Sequence, residues 1–406
     1  MTAPLVSVCV PTFNGEKYLR LALDSIQEQT FKDYEVVVVD DESSDRTVEI
    51  ARAYAVADER FRIVQNPQRL GLVANWNRCV ELARGEWIKF VFQDDLILPA
   101  CIEKLLDACR LNQVPIGCCR RTFEFDESVP SHLRAFYPNN DREIEQLFHG
   151  REVLSAEQFA KMLLENIGRN FVGEPTAVLL DRRVFEVFGK FNPALILRCD
   201  AEFWYRVGCH TGIARVHDTL AVFRVHRQST SSVAHATRSF KLSVLDHLVL
   251  LYEFVCNPMY DPLREAAATH RGPAYLAMEL RQEGLKALQA AKQNAAGAES
   301  DSYPRVRELE EVLETYPALR VISSQEAELQ QAHQELEECR QVVTAQDQSL
   351  TERNLEVARK DEELAWQGER LRIIEERLER VHNHSLYRLY RWVKRAGRRE
   401  APDAID

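Results

Sequence analysis

The chain lacks the sequence features of several common protein classes. None of its ten cysteines belongs to a C-x-x-C pair, so the sequence indicates neither a zinc ribbon nor a disulfide framework. We interpret the cysteines as buried thiols in a reducing compartment. No run of 18 apolar residues occurs, so we expect no membrane-spanning helix. The formal net charge of -11 argues against general nucleic-acid binding.

Two glycine-rich phosphate-binding motifs are also missing. No G-x-G-x-x-G follows the first predicted strand, and no G-x-x-x-x-G-K-[ST] occurs anywhere. The absence of the first motif disfavours a dinucleotide-binding site. The absence of the second excludes a P-loop NTPase. A diphosphate bound without a glycine cradle or a basic cluster would need a bridging metal ion.

Strand and helix patterns alternate along the first half of the chain. Valine-rich runs at 5–10 and 35–39, and apolar runs at 61–64 and 87–92, alternate with amphipathic helical patterns. This alternation predicts an α/β fold with a mostly parallel central sheet and right-handed crossovers. The irregular, polar segment 125–149 is predicted to be a long loop. Residues 221–226 are predicted to form the final strand, and 262–291 one helix.

Polar groups follow the ends of the predicted strands. In a parallel sheet these ends meet at one edge, where α/β proteins bind their ligands. The carboxylates that follow the strand at 87–92 could hold a hard divalent cation, or could only cap the helix that begins after Pro99. The polar positions are Thr12, Asn14, Asp40, Asp41, Asp94, Asp95 and, later in the chain, Asp200.

Four stretches resemble glycosyltransferases of family 2, which have the GT-A fold. They are VSVCVPTFN at 6–14, QTFKDYEVVVVDDESSDRT at 29–47, GEWIKFVFQDD at 85–95 and CDAEFWYR at 199–206. The last is similar to the acidic motif on the acceptor side of that family. The resemblance covers residues 5–230 and implies an inverting transfer from a nucleotide-diphosphate sugar.

The resemblance also implies a role for each matching residue. Pro11 and Asp41 are expected at the nucleobase, and Asp94 beside the ribose or the sugar. Asp200 is expected to be the general base. The full expected set is Pro11, Thr12, Asn14, Asp40, Asp41, Asn77 and Asp94 for the donor, Asp95 and His226 for Mn²⁺ or Mg²⁺, and Asp200 for catalysis.

Structural roles remain open for several of these residues. Asp41 and Asp200 could cap helices or turns, His226 could be a hydrogen-bonded histidine, and Asn77 an ordinary helix residue. The chain also departs from the family pattern at two positions. Gln93 stands where a carboxylate is common, and Cys199 replaces a common glutamate before the base.

The C-terminal part has a different character. Leucine or valine recurs at seven-residue spacing from 329 to 378, which is one half of a coiled-coil seam. The other half is poor, so both a homodimer through 325–381 and a solvated helix held by i,i+4 charge pairs fit the pattern. Segment 384–399 carries cations and aromatic residues but no acid, which suits an anionic membrane or the protein's own acidic surface.

The resemblance implies an inverting, metal-dependent glycosyltransferase, and together with the basic tail it implies a lipid-linked or surface glycan as acceptor. We expect the protein in the cytoplasm, on the inner membrane face. The expected regions are 1–235 (catalytic), 236–293 (helical buttress), 294–324 (linker and short helix), 325–381 (long helix) and 382–406 (basic tail). The alternatives are a scaffold that binds a nucleotide sugar without turnover and a sugar-phosphate nucleotidyltransferase. The second alternative would need a glycine-rich basic loop after the first strand, which the chain lacks.

Overall fold

The structure is a computed structural model. It describes residues 3–127, 129–229, 241–293, 302–316, 319–320, 334, 338–341 and 357–396. The chain divides into two compact units. The first comprises Met1–Leu250 and Met259–His270, and the second Leu251–Pro258 and Arg271–Asp406.

In the described part of the first unit, nine strands form one sheet in the order β3-β2-β1-β4-β8-β6-β9-β5, with β7 also paired to β9. The strands are β1 (Val6–Thr12), β2 (Tyr34–Asp40), β3 (Phe61–Gln65), β4 (Trp87–Phe90), β5 (Leu96–Ile97), β6 (Ile116–Phe125), β7 (Val153–Leu154), β8 (Val178–Asp181) and β9 (Ile213–Val225). The predicted α/β class is confirmed. Strands β1 to β4 pair in parallel, whereas β5, β7 and β8 run antiparallel to their neighbours.

Helices alternate with the strands and follow them along the chain. They are α1 (Leu19–Gln27), α2 (Thr47–Ala57), α3 (Leu72–Leu82), α4 (Cys101–Asn112), α5 (Ser131–Phe148), α6 (Ala156–Glu165), α7 (Arg183–Phe188), α8 (Cys199–Thr211), α9 (Asp246–Cys256), α10 (Asp261–His270), α11 (Tyr275–Gln293), α12 (Ser302–Thr315) and α13 (Val357–Ala396). Every residue of β1 and β2 is buried, as their valine-rich runs require of central parallel strands.

The parallel pairing sets the position of the site. Thr12 at the end of β1 lies opposite Asp40 at the end of β2, and β4 runs parallel on the other side of β1. The loops after β1, β2 and β4 therefore leave the sheet at one edge. Asp94 and Asp95 lie at this edge, between the end of β4 and the short strand β5.

The prediction of a long loop at 125–149 is wrong. Strand β6 reaches Phe125, and α5 occupies Ser131–Phe148. Pro138 obscured the helical pattern because proline removes a backbone donor and usually ends a helix. Here Leu133 and Tyr137 are buried in a small apolar cluster with Val225 of β9, and this packing outweighs the proline.

Two further boundaries differ from the prediction. The single helix expected at 262–291 is divided into α10 and α11, because Gly272 adopts φ +100° and the Pro273 that follows cannot continue a helix. The final strand is also longer than 221–226, since β9 begins at Ile213 and ends at Val225. Its early part pairs with β7 and with the start of β6.

The second unit is helical in its described part, and α13 is its longest helix. This helix runs through the boundary expected between the long helix and the basic tail at 381–382. Most of the heptad positions before Val357 lie outside the described residues. Of the helices that the structure describes, none combines the length and the apolar character needed to cross a bilayer.

Candidate active site

Short polar contacts join the loops that follow β1 and β2. Asp40 accepts hydrogen bonds from the Thr12 hydroxyl (3.1 Å) and from the N–H and hydroxyl of Ser43 (3.0 and 2.5 Å). Asn14, which has φ +48°, accepts the Ser44 N–H through its side-chain oxygen at 2.9 Å. Its own N–H donates to Ser43 Oγ at 2.9 Å. The two loops are thus held side by side at the sheet edge.

Asp41 is buried, and both of its carboxylate oxygens accept hydrogen bonds from the loop before α3. Oδ1 accepts the Leu70 N–H (2.7 Å) and the Asn66 side-chain amide (3.0 Å), and Oδ2 accepts the Gly71 N–H (2.8 Å). Gly71 has φ +88°, a conformation that glycine adopts without strain. Asp41 therefore holds this loop in place. Pro11 lies buried on the neighbouring strand β1.

Gln93 connects the loop after β4 to the loop after β1. Its Oε1 accepts the Phe13 N–H (2.9 Å), and its Nε2 donates to the Phe13 carbonyl (3.0 Å). Gly15 allows this approach, because a Cβ there would overlap the Gln93 amide. An ionised carboxylate at position 93 could not donate to the Phe13 carbonyl. The pairing gives a physical reason for the glutamine found here.

Asp95 is buried, and both of its oxygens accept hydrogen bonds. Oδ2 accepts from the Thr176 hydroxyl (2.7 Å), and Oδ1 accepts from the Arg224 N–H of β9 (3.0 Å). Burial raises the pKa of Asp95 well above its usual value, and the charge of Asp94 raises it further. Asp95 thus connects the loop after β4 to β9 and to the short 3₁₀ turn that contains Thr176.

Asp94 and His226 lie side by side, with Asp94 partly exposed and His226 buried. His226 Nε2 is 2.9 Å from Asp94 Oδ2, and the Gln228 N–H points to His226 Nδ1 at 3.3 Å. Because Nδ1 accepts this hydrogen bond, Nε2 carries the proton that bonds to Asp94. The Tyr18 ring packs 5.1 Å from the His226 ring, and the Arg224 guanidinium lies over Tyr18.

Asp94 and His226 could supply only part of the coordination shell of a divalent cation. In the part of the chain that the structure describes, no three His, Cys, Asp or Glu side chains are grouped as a metal site. Mg²⁺ commonly uses one or two carboxylates together with water and substrate phosphates, and imidazole is a frequent ligand of transition metals. Asp95 is fully buried, whereas Asp94 is partly exposed, so Asp94 is the carboxylate of this pair that could face a cation. His226 could join it only after Nε2 loses its proton, because a metal ligand must be deprotonated.

Asp200 lies in the first turn of α8 and is buried. Its Oδ2 accepts the Asn170 side-chain amide (3.0 Å), and its Oδ1 accepts the Ala201 N–H (2.6 Å). Burial raises the pKa of Asp200 to about 7; the charge of Glu174 raises it and that of Arg121 lowers it. A carboxylate whose pKa lies near neutral pH is suited to accept a proton from a hydroxyl group.

One segment, 170–176, contacts both buried carboxylates. Asn170 bonds to Asp200, and Thr176 bonds to Asp95. Six residue steps of chain span at most about 20 Å, so the two carboxylates lie in one region of the first unit. The charge of Glu174, within the same segment, raises the pKa of both aspartates.

Arg121 is a buried cation beside this segment. Pairing of β6 with β9 shifts register on both sides of Arg120, so β6 is locally distorted there. Arg121 Nε lies 2.7 Å from Glu174 Oε2, and Nη1 lies 3.7 Å from Asp141 Oδ1 of α5. Gly173 permits the close approach, since a Cβ there would lie 3.0 Å from Nη1.

Asn77 on α3 is paired with backbone. Its Nδ2 donates to the Phe191 carbonyl (2.9 Å), and its Oδ1 accepts the Phe191 N–H (3.0 Å). Both ends of the amide are therefore used to hold the chain ahead of α8.

Several residues of the site were not found from the sequence. Thr176, Asn170 and Tyr18 belong to no motif, because their partners are distant in the chain and only the folded sheet brings them together. Arg121 had a detectable signal, a charged residue at the end of an apolar strand pattern, since such a charge is rarely buried without a partner.

Comparison with known proteins agrees with this architecture. The crystal structure of Staphylococcus aureus TarS 1–349 in complex with UDP-GlcNAc aligns with a TM-score of 0.50 and 17% sequence identity, over 77% of this chain and 82% of that one. The fold is thus of the GT-A type. Residues 7–172 match the model of glycosyl transferase family 2.

Sequence relatives point the same way. The GalNAc(5)-diNAcBac-PP-undecaprenol beta-1,3-glucosyltransferase of Campylobacter jejuni is 38% identical over 49% of this chain and 67% of its own length. An uncharacterised Mycobacterium tuberculosis protein, MT1568, is 32% identical over 68% of this chain and 83% of its length. The chain spans 44% of the glycosyltransferase EpsJ of Bacillus subtilis, at 35% identity. The chain belongs to glycosyltransferase family 2 and is a sugar-transferring enzyme.

The pairing of Gln93 with Phe13 gives a testable prediction. In Gln93→Glu, the ionised carboxylate would face the Phe13 carbonyl, so its pKa in the folded state should exceed the value of about 4.3 found in unfolded chains. The variant should be close to wild type in stability below about pH 4. It should lose about 1–3 kcal/mol as pH rises through the raised pKa.

Urea unfolding of the wild type and both variants across pH measures this effect. Gln93→Met is the control, because it loses both hydrogen bonds at every pH and should show a constant deficit. If Gln93→Glu and Gln93→Met have the same pH dependence, Gln93 does not hold the Phe13 loop as described.

Proposed function

We propose that the chain is an inverting, metal-dependent glycosyltransferase. It would move a sugar from a nucleotide-diphosphate donor to a hydroxyl group of a lipid-linked or surface glycan. The observation that supports this proposal is that segment 170–176 contacts two buried carboxylates, Asp95 at the sheet edge and Asp200 at the start of α8. One of them, Asp200, has a pKa of about 7, which suits a general base.

The donor would bind along the ends of β1, β2 and β4. Thr12 and Asn14 help to order the first two loops, together with Asp40. In this proposal, Asp41 acts through the loop 66–71 that it holds, because its oxygens already accept three hydrogen bonds. Pro11, buried in β1, would support the nucleobase region from the sheet.

Asp94 would hold the cation, and His226 would join it through Nε2 once that nitrogen has lost the proton that bonds to Asp94. We give Asp94 the role that the sequence suggested for Asp95, because Asp95 is fully buried among its hydrogen-bond partners and Asp94 is partly exposed. A bound divalent cation would neutralise the charge of the departing nucleoside diphosphate. Asp95 would hold the loop that carries Asp94 against β9. Asn77 would hold the segment of chain that precedes α8.

The transfer step follows from these positions. The acceptor oxygen attacks the anomeric carbon, and its proton passes to the carboxylate of Asp200. The bond from the anomeric carbon to the phosphate oxygen breaks, and the nucleoside diphosphate leaves. Attack from the side opposite the leaving group inverts the anomeric centre. Asn170 would keep the Asp200 carboxylate oriented during this step.

The acceptor class is inferred from a relative. The Campylobacter jejuni enzyme, whose name describes an undecaprenol-linked glycan, matches about half of this chain. We therefore propose a lipid-linked or surface glycan as acceptor.

Replacement of Asp200 tests the catalytic proposal. Asp200→Asn should abolish hydrolysis or transfer, while the donor-induced rise in melting temperature persists. The screen uses UDP-GlcNAc, UDP-glucose and GDP-mannose with Mn²⁺. In the wild type, kcat should fall tenfold per pH unit below about pH 7, because Asp200 accepts a proton only when ionised.

Asp261→Asn, an exposed aspartate on α10, serves as the control and should behave as wild type. Full activity of Asp200→Asn would contradict the assignment of the base. Donor binding without turnover in the wild type would favour the scaffold alternative.

The metal assignment has a separate test. Mn²⁺ added with UDP-GlcNAc should raise the wild-type melting temperature above the value for either alone. Asp94→Asn and His226→Ala should lose this additional rise. Asp218→Asn, at an exposed position on β9, should keep it. Retention of the rise in both site variants would contradict the assignment of Asp94 and His226.

We also propose that the basic tail binds an anionic membrane on the cytoplasmic side. In the described part of α13, Arg388, Arg391, Trp392 and Lys394 are exposed, whereas Leu389 is buried. Cations near an anionic membrane contribute about 1 kcal/mol each. The homodimer through 325–381 and the proposed region boundaries stay predictions.

Vesicle co-sedimentation tests the tail. Reversal of three charges, Arg388→Glu, Arg391→Glu and Lys394→Glu, should release the protein from phosphatidylserine vesicles at moderate salt, as should deletion of 385–406. Reversal of Arg370 and Arg377, exposed on the same helix, is the matched control and should retain binding. Unchanged co-sedimentation of the tail variants would show that the tail is not the anchor.

A further inference from the structure

Asp246 is the first residue of α9 and is buried. Its carboxylate accepts hydrogen bonds from another part of the chain. Its Oδ2 accepts the backbone N–H groups of Ile196 (2.9 Å), Leu197 (2.6 Å) and Arg198 (3.2 Å). Burial raises the pKa of Asp246, and these three hydrogen bonds oppose the rise. Three consecutive N–H groups that converge on one oxygen form an anion-binding concavity, which the Asp246 carboxylate fills.

The concavity lies immediately before the general base. Residues 189–198 form no helix or strand, and α8 begins at Cys199 with Asp200 as its second residue. Residues 196–198 are half-buried, and backbone N–H groups that are shielded from water require an acceptor. The path of the chain into α8 therefore depends on the carboxylate at position 246.

A second set of contacts ties the same region together. The Arg198 side chain donates to the Gly168 carbonyl, and Asn170, two residues further on, donates to Asp200. Gly168 has φ +81°, and a Cβ there would lie 2.9 Å from Cε1 of His247. Residues 246 and 247 thus lie against both segments that border the Asp200 side chain.

We propose that Asp246 is a positioning residue for Asp200. By holding 196–198, its carboxylate fixes where the first turn of α8 presents the base to the acceptor hydroxyl. Asp246 lies beyond residues 7–172, the part matched by the family model, so the helical region after the sheet contributes directly to catalytic geometry. The inference rests on the proposed function, since it requires that Asp200 is the base.

A capping role alone does not account for these contacts. A carboxylate at the first position of α9 interacts favourably with that helix's own N-terminus. The three donors, however, belong to the loop before α8 and not to α9. Loss of the carboxylate should therefore change the loop at 196–198 and leave the donor edge at β1 and β2 as it is.

The kinetic test compares Asp246→Leu with Asp246→Asn. Hydrolysis of UDP-GlcNAc, UDP-glucose and GDP-mannose with Mn²⁺ is screened in the wild type, and the fastest substrate is used for all variants. Asp246→Leu should lower kcat by about 10- to 100-fold, as expected when a catalytic group is displaced by about 1 Å. KM for the donor should stay within about twofold of the wild type. Asp246→Asn, which retains an accepting oxygen, should recover part of kcat.

Amide hydrogen exchange supplies a measurement that needs no turnover. In Asp246→Leu, the peptide that contains 196–198 should exchange at least about tenfold faster, because its N–H groups lose their acceptor. Peptides that contain β1 and β2 should exchange at the wild-type rate. Asp261→Asn on α10 is the matched control and should match the wild type in both experiments.

The outcomes separate this inference from the proposed function. If Asp200→Asn is inactive but Asp246→Leu keeps the wild-type kcat, Asp246 does not position the base and the proposed function stands. If Asp200→Asn is as active as the wild type, or no donor is hydrolysed, the proposed function fails, and the inference fails with it. A fall in kcat with an equal change in donor KM would indicate general loss of structure and would also overturn the inference.

Discussion

Two hydrogen bonds from one short segment determine how the site is arranged. Thr176 binds Asp95 at the end of the sheet, and Asn170 binds Asp200 at the start of α8. Because segment 170–176 is short, the donor edge and the acceptor side cannot move far apart. A sugar-transferring enzyme of this family needs both sides in one cleft, and this segment supplies the connection within the first unit.

Asp94, Asp95 and Asp200 differ in how far they are buried, and this difference gives them different roles. Asp95 has both oxygens engaged and serves the fold, whereas its neighbour Asp94 is partly exposed beside His226. Asp200 is buried but retains a pKa of about 7, so it can exchange a proton near neutral pH. The surroundings of the two adjacent carboxylates thus make Asp95 a structural contact and Asp94 a candidate ligand of the cation.

The sequence predicted the parts of the fold that depend on local patterns. Valine-rich runs predicted β1 and β2, and their polar ends predicted the edge where the site lies. The sequence did not predict α5, because Pro138 masks a helix that long-range packing stabilises, nor the partners of Asp95 and Asp200. Thr176 and Arg121 are separated by tens of residues from the groups they contact, so no motif joins them. Asp246 was missed for the same reason.

A crystal structure with UDP-GlcNAc and Mn²⁺, or with whichever donor of the panel binds, tests the central claim most directly. We expect the diphosphate and the metal ion beside Asp94 and His226. We also expect the open face of the anomeric carbon to be directed towards Asp200, with space for an acceptor oxygen about 3–3.5 Å away. A donor bound at another edge of the sheet, or a sugar directed away from Asp200, would contradict this claim.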